Sequence, residues 1–318
     1  MFRPAISFVL FVSLATGAAA NDSIATVGAG GLELVHADTI HMSEERLFIS
    51  TGKVAVDYVF YNQSDVAKTY LVAFPMPLIE PSTYYEGDIA LADREADNFL
   101  NFKTIVDGQP VMPDLELRAF SGPVDITDQL KAAGLPLNPL QQKTTQAVSA
   151  LSADAARTLE ELGAIGQDGD ARYPRWTLKA TYYWLQVFPP QQELKVSHSY
   201  EPGTGTWFYY SGMLDDDQVV HQYCIDNGTA AAMRRGTKDG RDMVLAHEVR
   251  YVLSTGSNWQ GPISDFRLVV DKGDPDAIVS FCMDGVKKIS PTQFEVSRTD
   301  FIPTGDLSIL VVMPMAKE

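Results

Sequence analysis

Residues 176–188 read WTLKATYYWLQVF, and their period decides the fold class. Trp176, Leu178, Ala180, Tyr182 and Trp184 fall on one face of an extended chain; Thr177, Lys179, Thr181 and Tyr183 fall on the other. Successive side chains of a strand point to opposite faces, so the alternation predicts a half-buried strand with Trp176 and Trp184 in the core. Pro189 and Pro190 stop it, because proline cannot donate to a sheet ladder. Leu194, Val196, His198 and Tyr200 then begin what reads as its antiparallel neighbour. His198, on the apolar face between Val196 and Tyr200, reads as a hydrogen-bonded core histidine.

The same rhythm extends both ways. Upstream, Val54, Val56, Tyr58 and Phe60 alternate with Ala55, Asp57 and Val59, a strand from Thr69 to Phe74 ends at Pro75, and Asp107-Gly108 marks a tight hairpin. Downstream, Val249/Tyr251/Leu253, Phe266/Leu268/Val270, Ile278 to Cys282, Phe294/Val296 and Leu307 to Met313 repeat it. About ten short strands separated by Gly, Pro and Asp predict a mainly β protein, an antiparallel β-sandwich or paired sheets. The last strand is expected to rejoin the earlier sheet. One stretch, about 125–166, is Ala-, Leu- and Gln-rich with helical spacing, with Ser152 as an N-cap and Gly163 at a left-handed C-terminal position. It reads as a helical segment inserted into a single β-rich domain covering 21–318. A weaker helical turn is expected from Thr229 to Arg235.

The chain has 318 residues, 45% of them hydrophobic and 10% aromatic, enough for a substantial core. With 41 acidic against 25 basic side chains its formal net charge is −16, which disfavours a nucleic-acid partner. Mean hydropathy is −0.07 and the single long apolar run lies at the start, which excludes a multi-span membrane protein. Residues 1–20 carry Arg3, an apolar stretch from Ile6 to Leu14, and Ala18-Ala19-Ala20: a signal peptide, with the mature chain beginning at Asn21 and no membrane span after its removal. Export places the chain in an oxidising compartment. There the two cysteines, Cys224 and Cys282, are expected to pair as a disulfide.

Several strings, in this order, carry a resemblance. They are Asn21-Asp22-Ser23, Gly30-Gly31-Leu32, Leu47-Phe48-Ile49-Ser50, Ala73-Phe74-Pro75-Met76-Pro77 and Tyr183-Trp184-Leu185-Gln186-Val187-Phe188-Pro189. His198-Ser199-Tyr200-Glu201-Pro202, Asn258-Trp259-Gln260-Gly261-Pro262-Ile263 and Ser280-Phe281-Cys282 complete the set. Together they resemble a family of exported bacterial proteins known as domain of unknown function 4424. The resemblance implies a bacterial protein, periplasmic or secreted, and brings no activity or catalytic residue with it.

No specific catalytic motif stands in the chain. Gly28-Ala29-Gly30-Gly31 and Gly203-Thr204-Gly205 lack the setting of a phosphate loop and read as turns. There is no G-x-S-x-G elbow, no CxxC, and no second histidine at zincin spacing after His247-Glu248, so no cofactor or metal is expected. Asp271, Asp274 and Asp276, and likewise Asp215-Asp216-Asp217, read as solvated turns in preference to calcium loops. The N-x-S/T triplets at Asn21, Asn62 and Asn227 read as turns.

Trp207 and Trp259 sit near glycines, where rings serve either core or contact, and Asn258 and Gln260 add polar groups suited to a ligand. The candidate ligand-binding residues are therefore Trp207, Asn258, Trp259 and Gln260. The expected function is a non-catalytic module of the bacterial envelope that binds a protein, peptide or glycan; the alternative is a hydrolase of an envelope polymer using carboxylates or a metal.

Overall fold

The strand read at 176–188 runs Thr177–Phe188 in the computed structural model and lies third in a six-stranded sheet. The structure describes residues 21–28, 31–81, 88–236 and 244–313; the expected signal peptide at 1–20 lies outside the described residues. Thr177–Phe188 pairs antiparallel with Lys68–Pro75 on one side and Asp114–Ser121 on the other, and Ser23–Gly28 and Gly31–Val35 extend the sheet beyond Lys68–Pro75. An eight-stranded sheet centres on Ile263–Asp271, Ile40–Ser50, Val54–Asn62 and Glu193–Tyr200. A five-stranded sheet is built around Thr204–Tyr209, Val244–Tyr251 and Leu307–Val312. The protein is mainly β, in antiparallel sheets that do not close into a barrel. Ile263–Asp271 departs from the pattern by pairing parallel with Ile40–Ser50.

One apolar core joins the three large sheets, drawing Phe74 and Tyr182 from the first, Val56 and Phe266 from the second, and Val249 and Ile309 from the third. The alternation read from the sequence is what aims these side chains inward. Two pairings differ from expectation. Glu193–Tyr200 is not the sheet neighbour of Thr177–Phe188 but pairs with Val54–Asn62 and Lys103–Val106 in the opposite layer. Pro189 and Pro190 deny the turn two backbone donors, Gln191 takes a positive φ of 50°, and the chain crosses between layers. The two apolar faces then meet across the core, with the Trp184 and His198 rings 5.2 Å apart. The last strand, Leu307–Val312, pairs with Val244–Tyr251 and Ile278–Ser280 in the third sheet and does not rejoin an earlier one.

Three helices, Thr127–Ala132, Gln142–Ser149 and Ala153–Glu161, fill the Ala- and Leu-rich stretch. The Ser152 side chain caps the third by accepting from the Ala155 amide, and Gly163 follows it at φ +69°. These helices cover a second core of Ile126, Leu130, Val148, Leu159 and Trp176. Trp176 is thus core, as its phase requires, but it packs under the helices and its indole N–H donates to the Leu137 carbonyl at 2.7 Å. Asn227–Gly236 is a full helix where the sequence suggests one turn. Cys224 and Cys282 are joined by a disulfide.

Candidate functional site

Two groups of polar residues stand out, one sealed in the interior and one in a surface groove. The interior group begins with a β-bulge. In Ile40–Ser50 the register against Val54–Asn62 shifts between Met42 and Glu44, one residue is added, and the inward phase passes from Ile40 and Met42 to Glu45, Leu47 and Ile49. The bulge therefore buries a glutamate. Both Glu45 oxygens accept from the Asn21 side-chain amide, at 3.3 and 3.2 Å. The Tyr58 hydroxyl donates to the Asn21 side-chain carbonyl, and the Tyr251 hydroxyl lies 3.2 Å from that of Tyr58. Beside them His198 Nε2 meets both oxygens of Asp22 at 3.1 Å, and its Nδ1 lies 3.1 Å from the Thr104 hydroxyl.

Burial governs the chemistry of this group. It pushes the Glu45 carboxyl up to about 8, opposed by the Asn21 hydrogen bond and helped by the nearby Asp22 charge. Burial also raises Asp22, against the attraction of His198, and lifts the Tyr58 and Tyr251 hydroxyls well above their ordinary value. Thr104, His198 and Asp22 are connected in the order of a hydroxyl–imidazole–carboxylate relay. Each is at most 2% exposed, however, so the relay is sealed from solvent in this structure. The arrangement satisfies buried polar groups in a core; it is not an open active site.

The surface groove follows from strand pairing. Gly205 on Thr204–Tyr209 stands opposite Glu248 on Val244–Tyr251, and opposite residues of an antiparallel pair share a face. Gly205 presents no side chain there, so space opens beside Glu248, with Trp207 two residues along on the same face and Arg250 two residues beyond Glu248. The short turns and helix at Ser211–Asp215 and Asp217–Gln222 wall the groove, whose volume is about 580 Å³. Glu248 is held by the Tyr223 hydroxyl at 2.9 Å and the Gln222 amide at 3.1 Å. Arg250 donates to the Leu78 carbonyl at 2.8 Å and lies 3.4 Å from Glu80 and 4.0 Å from Glu248. Burial and the Glu248 carboxylate keep the Tyr223 hydroxyl protonated. Trp207 is half-buried, and among the described residues its indole N–H meets no acceptor. The groove thus offers an aromatic surface, a fixed acceptor and a fixed cation.

The four residues singled out in the sequence do not come together. Trp207 lines the groove. Trp259 is 1% exposed, packs on Phe60 with centroids 4.5 Å apart, and donates its indole N–H to the Asp22 carbonyl at 2.7 Å. It is core, not a contact surface. The Asn258 amide donates to the Ser23 hydroxyl at 3.0 Å, and the Gln260 backbone bridges Ile40 and His41. Thr255, Asn258 and Trp259 therefore clasp the 21–23 segment. The flanking glycine serves that clasp: a Cβ on Gly256 would stand 2.8 Å from the Asn21 amide nitrogen.

The acidic runs and asparagines have structural employment. Asp271 accepts from the Gly273 amide and from Gln293, Asp274 accepts from the Asp276 amide, and Asp216 caps the helix Asp217–Gln222. Asn62, read as part of a turn, is buried and ties Val66 and Phe188 together through its amide. Asn21, also read as a turn, is a core residue. Sequence reasoning did not single out Asn21, Asp22, Glu45 or Glu248 as candidate site residues; the one signal for Glu45 was its phase with Leu47 and Ile49.

The model of the family described as domain of unknown function (DUF4424) matches residues 20–310, and the chain belongs to that family. No functionally curated protein matches it. Among solved structures, a protein from Legionella pneumophila subsp. pneumophila, provisionally identified as a nutrient binding protein, aligns with 16% sequence identity and a TM-score of 0.45. That alignment covers 92% of this chain and 70% of the other. Among the described residues no helix is long and apolar enough to cross a membrane.

Proposed function

We propose that this member of the family is an exported, non-catalytic recognition module of the bacterial envelope, binding a glycan segment in the groove beside Trp207. The observation that carries the reading is the half-buried Trp207 ring, set in one groove with Glu248 and Arg250, each of which is fixed by neighbouring groups. An aromatic face takes the apolar side of a sugar ring, and pre-positioned acceptors and donors select its hydroxyls. Pre-positioning lowers the ordering cost of binding, because Glu248 and Arg250 need not be immobilised anew. Export, to the periplasm or beyond, is supported by the leader-like residues 1–20 and by the Cys224–Cys282 disulfide. We read residues 21–318 as one β-rich domain with a helical insertion, supported by the core that the three large sheets share.

Intrinsic fluorescence gives a selective test. Trp176, Trp184 and Trp259 are buried, so a ligand entering the groove perturbs chiefly Trp207. Titration with cell-wall oligosaccharides is expected to shift the emission, and Trp207→Ala is expected to weaken binding about tenfold or more while the variant, having lost some packing on the Tyr209 and Val244 core, still folds. Short peptides form the second arm. Saturable binding of peptides alone would replace the glycan assignment, and oligosaccharide binding unchanged in Trp207→Ala would remove the groove from it.

A further inference from the structure

The segment that follows the predicted cleavage position is not a loose end. Asn21, Asp22 and Ser23 have no exposed surface, although a chain terminus ordinarily lies at the surface. Asn21 is bound through nearly every polar atom it has. Its backbone N–H donates to the Thr255 hydroxyl at 2.7 Å, and that hydroxyl donates to the Asn21 carbonyl at 2.9 Å. Its side-chain amide reaches Glu45, and its side-chain carbonyl accepts from Tyr58 and from the Asp22 amide. Trp259 and Asn258 hold the next two residues.

The charges around this segment do not balance. Asp22 faces His198, whereas Glu45 faces the neutral amide of Asn21, the phenols of Tyr58 and Tyr251, and the like charge of Asp22. Among the described residues no lysine or arginine reaches the Glu45 carboxyl; the adjacent Arg46 touches only the Glu45 backbone carbonyl and turns outward to Glu44 and Asp265. A fully buried carboxylate without a cation is strongly disfavoured, so Glu45 either keeps its proton or gains a cation in the same core.

We propose that this cation is the mature chain's own N-terminus: cleavage after Ala20 places the α-ammonium of Asn21 inside the core, against Thr255 and one side chain away from Glu45. The inference rests on the export reading and is independent of the groove. The reaction is hydrolysis of the Ala20–Asn21 peptide bond by an export-associated endopeptidase. Water's oxygen goes to the Ala20 carbonyl, one of its hydrogens goes to the Asn21 nitrogen, and the freed amine takes up a further proton at neutral pH. The amide hydrogen already donated to Thr255 remains, and the amine gains a positive charge. Processing thereby completes the interior: an extended chain buries Glu45 beside neutral donors, with no cation against it.

The test uses the exported protein as the cell makes it. Its intact mass is expected to correspond to a chain beginning at Asn21. An amine-acylating reagent at neutral pH is expected to modify the Asn21 α-amine about tenfold more slowly, or less, in the native protein than in the urea-unfolded one, because reaction must await local opening. Exposed lysines such as Lys53 serve as the internal reference. In parallel, a chain with Gly-Ser ahead of Asn21 is expected to melt below the mature chain at pH 8, and Glu45→Gln is expected to narrow that gap. A mass that begins elsewhere overturns the processing position. A chain beginning at Asn21 whose amine reacts equally fast native and unfolded overturns the burial, and equal melting of extended and mature chains overturns the coupling. Groove binding by Trp207 stands or falls separately in the fluorescence titration.

Discussion

Glu45→Gln, placed in a chain extended by Gly-Ser ahead of Asn21, isolates the cost of one buried carboxylate. In that chain Asn21 carries an ordinary amide and Glu45 has only neutral hydrogen-bond donors beside it. Burial, the first cause, raises its carboxyl from 4.5 to about 8. The sign follows from proton counting. Between those two values the folded chain holds a proton that the unfolded chain has released, so stability falls as pH rises. The loss is about 1.4 kcal/mol for each pH step, and about 5 kcal/mol once pH exceeds 8. That is as large as the whole margin of a weakly stable domain.

Glutamine keeps the shape and removes the titration. One of its two contacts with the Asn21 amide becomes donor against donor, a penalty of about 1 kcal/mol at every pH. The extended variant is therefore expected to be slightly less stable than its parent at pH 5 and several kcal/mol more stable at pH 8.5. Urea unfolding of both chains at pH 5, 6, 7 and 8.5 measures this, and the difference between them cancels every other titrating group. In the mature chain the α-ammonium holds Glu45 ionised, so the parent's decline over the same range is expected to shrink. Parallel curves for the extended pair, with no crossing between pH 5 and 8.5, would refute the reasoning at its root.

Three further outcomes follow from the same interior and its clasp. His198→Ala strands the Asp22 carboxyl and the Thr104 hydroxyl in the core and is expected to cost about 3–5 kcal/mol by urea unfolding at pH 7. Gly256→Ala puts a methyl 2.8 Å from the Asn21 amide nitrogen, which cannot retreat without leaving Glu45; a loss of about 1–3 kcal/mol and faster acylation of the Asn21 amine are expected. Replacing both Cys224 and Cys282 by serine opens a loop closed across 58 residues of sequence and is expected to cost about 4 kcal/mol, read as a lower urea midpoint.

The strands were legible because burial and backbone period agree in them. Trp184, Tyr182 and Leu178 sit inside for the reason their spacing gives, and Ser152 and Gly163 mark a helix end by local chemistry alone. Partner choice was not legible. The alternation in 193–200 states which face of the strand is buried and is silent on which sheet it joins, and the two prolines that resemble a hairpin stop instead divert the chain to the facing layer. Trp259 was misplaced for a related reason: glycines beside a tryptophan accompany an open ring and a tight clasp equally well, and the deciding partner, Asp22, lies far away in sequence.

The interior polar group shows where reading by period stops. Strict alternation from Met42 would turn Glu44 inward and Glu45 to solvent, and only the extra residue of the bulge reverses them. A bulge that buries a charge is costly unless something in the same core repays it. Asp22 is repaid by His198, from a strand in the opposite sheet. For Glu45 the proposed counter-charge comes from the segment that Thr255, Asn258 and Trp259 clasp, whose first residue is the one a signal peptidase would leave with a free α-amine. The sealed Asp22–His198–Thr104 relay, the inward glutamate and the clasped terminus thus belong to one interior that stabilises the fold. The groove proposed for ligand recognition lies apart from it on the third sheet, lined by Trp207, Glu248 and Arg250.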